Sequence, residues 1–203
     1  RFEVGTEEAI RKYSALELDE FLKKLKKSLS ADKFNRIKFA VIQSGVGLLG
    51  VTNTGTFDEE RCSNMISVCK DYNLLSKEHN GDYLDGGLIK RRFELGLDGI
   101  NIAPELGAAE TNFILEEIEG QEREDLFEGL FKACFLSRFW VKWLPDGFSP
   151  KEFHEKRLLV EVCGHYMFNT NAIKEVKKEL NIENSSLRAR LTEKIKELHG
   201  HCQ

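Results

Sequence analysis

Three short apolar runs in this chain each end in polar or glycine-rich residues: FAVIQSG over 39–45, LLSKEHNGDY over 74–83 and GINIAPELG over 99–107. The second is the densest, packing Glu78, His79, Asn80 and Asp82 into five residues where a strand would hand over to a loop. Polar chemistry at a strand exit is how an α/β barrel builds its site. The three runs therefore read as strands sharing one sheet and one mouth.

The segments between them are helical in pattern. Over 7–30 the residues Leu16, Leu18, Phe21, Leu22, Leu25 and Leu29 form an apolar stripe, which predicts an amphipathic helix. A strand is expected over 37–42. The glycine-rich QSGVGLLGVTNTG that follows lets the main chain turn tightly. Asp58 is placed to cap a helix over 59–72 that turns Met65, Ile66 and Cys69 inward. A strand over 74–78, a helix over 83–95, a strand over 99–102 and a helix over 108–118 continue the alternation. Strand and helix alternating with short connections imply parallel strands joined by right-handed crossovers, in an open sheet or a closed barrel.

From about Gln121 the pattern becomes helical only. Helices are expected over 123–143 and 150–168, the latter with Pro150 in a first turn, where proline is tolerated. Two short charged helices then reach His199. The organisation is an α/β part over 1–120 and a helical extension over 121–203 packed on it. Trp140, Trp143, Phe135 and Phe139 read as packing residues of that extension.

A net charge of −4, with 30 basic and 34 acidic residues spread along the chain, provides no basic stripe for a phosphate backbone, so nucleic acid is excluded as the expected partner. No apolar run reaches the roughly 18 to 20 residues of a membrane span, and no signal-like segment opens the chain, so the cytoplasm is the expected address. Five cysteines, an odd number without close pairing, read as buried free thiols. The opening RFEVGTEE reads as the tail of a strand and its loop, so the start looks like the middle of a domain: either an N-terminal portion is left out, or the chain is a natural half.

His79 is the central candidate, because an imidazole beside Glu78 and Asp82 can ligate a divalent metal or shuttle protons; the alternative is a loop histidine satisfied by hydrogen bonds. Asp82 either orients the ring or holds a substrate hydroxyl, or forms a turn with Gly81. At the preceding exit, Gln43, Ser44, Gly45 and Gly47, with Thr52, Asn53, Thr54 and Gly55 after them, form either an amide-lined anion site or a long structural turn. Asn101 and Glu105 frame the third exit, and Asn101 in an apolar strand must find partners. Glu3, Thr6 and Glu7 would complete the ring. His154 and His165 lie in the helical part, and the HGHC cluster of His199, His201 and Cys202 reads as a disordered terminus, with metal binding as the alternative.

In chain order, VGTEE, FAVIQSGVG, KEHNGDYL, INIAPELGAAE and RFWVKWLPDGF resemble the carboxy-terminal half of the family known as the non-catalytic subunit of class II D-tagatose-bisphosphate aldolase. That family carries a GTE motif, a QPGV strand exit, a His-x-x-Asp-Tyr motif, a GPA-type loop and a Tyr-x-x-Gly-Phe tail. The resemblance implies a (β/α)8 TIM-barrel fold, of which this chain supplies about the last four β/α units, and a place in sugar-phosphate metabolism as an aldolase-like, metal-dependent carbon–carbon lyase. It implies a divalent metal, zinc by analogy, with His79 as its ligand. Glu78 and Asp82 take the catalytic positions, and Gln43, Ser44, Gly45, Gly47, Asn101 and Glu105 take the substrate side.

Two alternatives stand beside that reading: a non-catalytic partner subunit that stabilises a true aldolase, and a sugar-phosphate isomerase or epimerase using Glu3, Glu78 and Glu105 as proton carriers. The implied partners are a sugar phosphate, together with a catalytic aldolase subunit or further copies of the chain. The family's acidic and histidine-containing loop after QPGV is replaced here by LLGVTNTG, which leaves His79 as the one metal ligand the sequence names.

Overall fold

The computed structural model describes residues 1–8 and 10–202. They form two compact units: residues 1–48 and 53–102 with His201 and Cys202, and residues 49–52 with 103–200.

In the first unit β1 (Phe2–Val4), β2 (Ile37–Ile42), β5 (Leu75–Glu78) and β6 (Gly99–Ile100) make a four-stranded sheet in the order β1-β2-β5-β6, every neighbouring pair parallel. The order across the sheet follows the order along the chain. A doubly wound sheet reverses at a switch point, whereas a β/α barrel winds in one sense. The described strands have the second kind of winding but form an open α/β sheet, without closing into a barrel. Ile42 pairs with Glu78, and Glu78 with Ile100, so the exits of three strands lie level. Two short strands, β3 (Leu48–Leu49) and β4 (Thr52–Asn53), form a separate ribbon inside the glycine-rich loop.

The first helix departs from its expected range. Instead of filling 7–30, α1 (Ala15–Ser28) starts after Ser14, whose hydroxyl accepts from the Glu17 amide while Glu17 accepts from the Ser14 amide. Such a capping box is worth about 1 kcal/mol. Residues before it are held elsewhere, as described below. After the short α2 (Ala31–Phe34), α3 (Glu59–Asp71) begins at Asp58, whose side chain accepts from Arg61 N, and buries Cys62, Met65, Ile66 and Cys69. Leu18 and Leu22 of α1, that face of α3, and Ile37, Ala40 and Ile42 of β2 share one core. Asp85 caps α4 (Gly86–Glu94), which starts later than 83 because Tyr83 is left-handed, at φ 57°.

The second unit is helical: α5 (Pro104–Gly120), α6 (Glu124–Ser137), α7 (Phe153–Met167), α8 (Asn171–Glu179) and α9 (Asn184–His201). Helix α5 packs on α6 and α7 and belongs with them to this unit, which takes in residues 103–200. Trp140, Leu144, Leu159 and Val160 lie in its core, with Trp143 packed against it. Helix α6 stops well short of Trp143 because Arg138 adopts φ 58° and ends it. Pro104, not Pro150, is the first-turn proline; α7 opens instead on a capping box between Glu152 and Glu155. The expected disorder at the HGHC cluster is overturned, since α9 runs through His199 to His201. All five cysteines are free thiols, four of them buried and Cys202 half-buried.

Candidate functional site

The level exits of β2, β5 and β6 bring the sequence-selected residues of the first unit together, but in unequal roles. Gln43, Ser44, Glu78 and Asp82 are buried. Gln43 ties down the segment after β1: its Nε2 donates to the carbonyls of Thr6 at 3.1 Å and Arg11 at 2.7 Å, and its Oε1 accepts from Tyr13 N at 3.0 Å and Arg61 Nη2 at 2.9 Å. Both lone pairs and both protons of that amide are used within the protein.

Glu78 is held more tightly still. Its carboxylate accepts from Ser44 N and Ser44 Oγ, each at 2.6 Å, and pairs with Arg92 Nε at 2.7 Å, neither side chain of the pair being exposed. Arg92 also donates to the Leu88 carbonyl and lies 4.0 Å over the Phe57 ring, yet its Nη2 is buried without a partner. Burial, reinforced by the Glu78 charge, pushes the neighbouring Cys62 thiol up to about 11. A carboxylate this enclosed is an electrostatic anchor between two strand exits and α4.

His79, one residue further, faces out. Its Nδ1 lies 3.2 Å from Glu7 Oε1 and its Nε2 2.5 Å from Glu3 Oε1, while Lys77 Nζ sits 2.6 Å from the other Glu3 oxygen. The ring thus bridges a carboxylate of β1 and one from the segment after it, whereas the sequence reading set Glu78 and Asp82 beside it. Burial works against ionisation of Glu3, but the hydrogen bonds from Lys77 and His79 outweigh it and hold its carboxyl below the ordinary range. The arrangement does not fit a resident divalent ion: both ring nitrogens already meet carboxylates, and an ammonium takes the place a second cation would need. Among the described residues no group of three or more His, Cys, Asp or Glu side chains is disposed to hold a metal.

The glycine-rich loop does bind an anion, one of the protein's own. Glu8 Oε2 accepts from Gly45 N at 3.0 Å and Val46 N at 3.4 Å, and its Oε1 pairs with Arg61 Nη1 at 2.9 Å. Burial opposes these contacts, yet the Arg61 bond and the Gly45 amide leave the Glu8 carboxyl below its ordinary range. Gly45 is required by the chain path as well: at φ 95° a Cβ would lie 1.8 Å from the Thr56 carbonyl oxygen. Asn53 stitches this loop to the β5 exit, accepting from Gly47 N and Gly55 N and donating to the carbonyls of Asn80 and Asp82. A cleft of about 360 Å³ opens beside the β1 exit, lined by Thr6, Arg11, Tyr13, Phe21 and Lys24.

Asn101 falls just past β6, half-buried, with its backbone N–H donating to the Glu78 carbonyl and its backbone carbonyl accepting from Gly81 N. Glu105 belongs to the second unit, where it lies on α5, 2.8 Å from Lys194 Nζ. Arg92, Arg61 and Tyr13 escaped the sequence reading, and Glu8 reads from sequence only as a charge at the start of the following helix. The signal for Arg92 was its place three residues after Ile89 on the inward face of α4, opposite a strand-end carboxylate that burial obliges to find a cation.

No family model and no curated protein sequence matches the chain. Among solved structures, the chain is similar to a probable tagatose 6 phosphate kinase from Sinorhizobium meliloti 1021, at 16% identity and a TM-score of 0.64, over 88% of this chain and 48% of that one. The chain thus spans about half the length of that protein, and at this identity the likeness is one of fold.

Proposed function

We propose that this chain is part of an aldolase-like β/α barrel that binds a phosphorylated sugar and serves as a non-catalytic partner of a class II aldolase. The observation that carries the reading is the contrast between Glu78 and His79. The carboxylate best placed in sequence for proton transfer is buried under Ser44 and Arg92. Next to it, Glu3, Glu7, Lys77 and His79 form a charge-paired cluster that can exchange its internal hydrogen bonds for those of sugar hydroxyls. The amides of Gly45 and Val46, with Arg61, supply an anion-receptive loop at the neighbouring exit. The one-directional strand order supports the barrel. The solved neighbour's description as a tagatose 6 phosphate kinase is in keeping with a sugar phosphate as ligand.

Titration calorimetry with a ketose bisphosphate, a ketose monophosphate and the free ketose tests the binding. Binding that requires phosphate and is weakened at least tenfold in His79→Ala supports the reading; equal heats for the free ketose sink it. A retro-aldol assay with zinc supplied separates the roles: no turnover alone, but increased activity or half-life of an added class II aldolase, is the outcome expected of a partner.

A further inference from the structure

Side chains alternate along β5 and into the residue after it. Ser76 and Glu78 turn to one side, where they meet Asp98 and Arg92, whereas Lys77 and His79 turn to the other, where both meet Glu3 of β1. Lys77 Nζ lies 2.6 Å from one Glu3 oxygen and His79 Nε2 lies 2.5 Å from the other, so a single carboxylate spans an amine and an imidazole. Lys77 keeps 21% and Glu3 28% of its side chain accessible, which leaves both within reach of a ligand on this face.

The surroundings of the amine are uneven. Phe39 of β2 walls one side, its ring 5.5 Å from Nζ. On the other side the register partner of Lys77 is Gly99 of β6. A Cβ at that position would lie 3.8 Å from Lys77 Cγ and 3.9 Å from Phe39 Cε1, both ordinary contacts, and Gly99 is not among the glycines with positive φ. Neither crowding nor backbone conformation therefore calls for glycine there. Its missing side chain leaves a gap against the lysine stem, next to the Phe39 ring, where a small ligand can approach the nitrogen.

We propose that Lys77 captures the open-chain carbonyl of the sugar phosphate as a Schiff base, with Glu3 as the proton carrier. The inference rests on the sugar-phosphate reading of this cluster and adds to it a reversible covalent step that leaves every carbon–carbon bond intact. A lysine amine adds to carbonyls once it is neutral. At rest the ammonium is paired with Glu3, and passing one proton to that carboxylate frees the nitrogen lone pair. The nitrogen attacks the carbonyl carbon, the C–N bond forms, and the carbonyl oxygen takes the proton back from Glu3. A second nitrogen proton follows through the same carboxylate as the carbinolamine C–O bond breaks and water leaves. Two ammonium protons thus depart on the carbonyl oxygen and the third stays on the iminium nitrogen, so atoms balance and the single positive charge is kept. His79, on the far oxygen of Glu3, holds the carboxylate in place for both transfers.

The test is reductive trapping of the intact chain with sodium cyanoborohydride and a ketose monophosphate, read by intact mass and peptide mapping. Binding of the corresponding alditol phosphate, which has no carbonyl, is followed in parallel by titration calorimetry. The expected result is one adduct per chain, on Lys77, at least tenfold above any other lysine. It should be absent from Lys77→Arg, which keeps a cation beside Glu3 and so spares the fold. Glu3→Gln should slow trapping at least tenfold more than it weakens alditol phosphate binding, a split that a purely structural carboxylate would not produce. Gly99→Val, with circular dichroism unchanged, should cut the adduct yield at least fivefold by filling the gap. Adducts spread evenly over the lysines, an unchanged yield in Lys77→Arg, or equal effects of Glu3→Gln on trapping and binding would each overturn the proposal. Binding of the alditol phosphate without an adduct on Lys77 overturns the Schiff base and leaves the sugar-phosphate reading standing, whereas no binding of either compound overturns both.

Discussion

The guanidinium of Arg92 and the carboxylate of Glu78 meet at 2.7 Å with neither side chain exposed, joining α4 to the end of β5. A buried pair adds little over an apolar pair of the same shape, yet breaking it by removing one partner leaves an uncompensated charge and costs about 3–5 kcal/mol. Arg92→Met should therefore destabilise the protein by about that amount in urea denaturation. The double variant Arg92→Met with Glu78→Gln should recover more than half of the loss. If the single variant is as stable as the parent, the pair is not closed in solution.

Glu8 makes a pH prediction. Its folded carboxyl lies below the ordinary value of 4.5, because the Arg61 and Gly45 bonds outweigh burial. A group depressed in the folded state adds stability that is fully present above its unfolded value and is lost as pH falls through the folded one. Glu3 acts in the same direction through Lys77 and His79. Thermal melting followed from pH 7 downward should fall steeply below about 4.5, and Glu8→Gln should have the shallower acid limb. Parallel curves would show that the contact carries no ionisation linkage.

The path of the glycine loop rests on Gly45, at φ 95° and with no room for a side chain below the Thr56 carbonyl. Gly45→Ala combines left-handed strain with a backbone clash, each of order 1–3 kcal/mol. Gly47→Ala, whose Cβ would meet the Thr54 hydroxyl at 3.3 Å and Gly55 N at an ordinary 3.8 Å, should be far milder. Comparing the two denaturation midpoints checks the ranking.

Local rules made much of this legible. The apolar IKFAVI of β2 and the Asp58 cap of α3 are stated by neighbouring residues alone, so strand and helix fell where the pattern put them. What escaped depends on distant partners. Residues 7–13 look helical, yet the Thr6 and Arg11 carbonyls and the Tyr13 amide are claimed by Gln43, some thirty residues on, and the helix waits for Ser14. Arg138 breaks α6 although nothing in its residue type demands φ 58°. At the site, the strand-exit pattern singled out Glu3, Glu7 and His79, and the fold brings these three side chains into contact. It could not tell that Glu78, one step earlier, points to the opposite side, where Arg92 waits; alternation along a strand decides this only once the register is known.

Thiol chemistry separates the cysteines by burial. Cys62 and Cys69, pushed up to about 11 and about 12 chiefly by burial, are closed to a reagent that needs both access and thiolate. Iodoacetamide at pH 8 should label the half-buried Cys202 first, and the other four only after denaturant is added, as read by peptide mass spectrometry.

The anion loop offers the sharpest link between structure and proposed ligand. In the present conformation the Gly45 and Val46 amides and Arg61 are occupied by Glu8, so a phosphoryl group arriving there must displace an internal carboxylate. Replacement of one anion by another on the same donors makes the apparent affinity of the free protein the intrinsic affinity reduced by the fraction of molecules with Glu8 withdrawn. Removing the competitor raises that fraction. Glu8→Ala should bind a ketose phosphate several-fold more tightly than the parent while losing some thermal stability. Inorganic phosphate should compete in the variant more effectively than in the parent. Unchanged affinity in Glu8→Ala, with the fold intact by circular dichroism, would place the phosphate elsewhere and leave the loop as a structural turn pinned by its own glutamate.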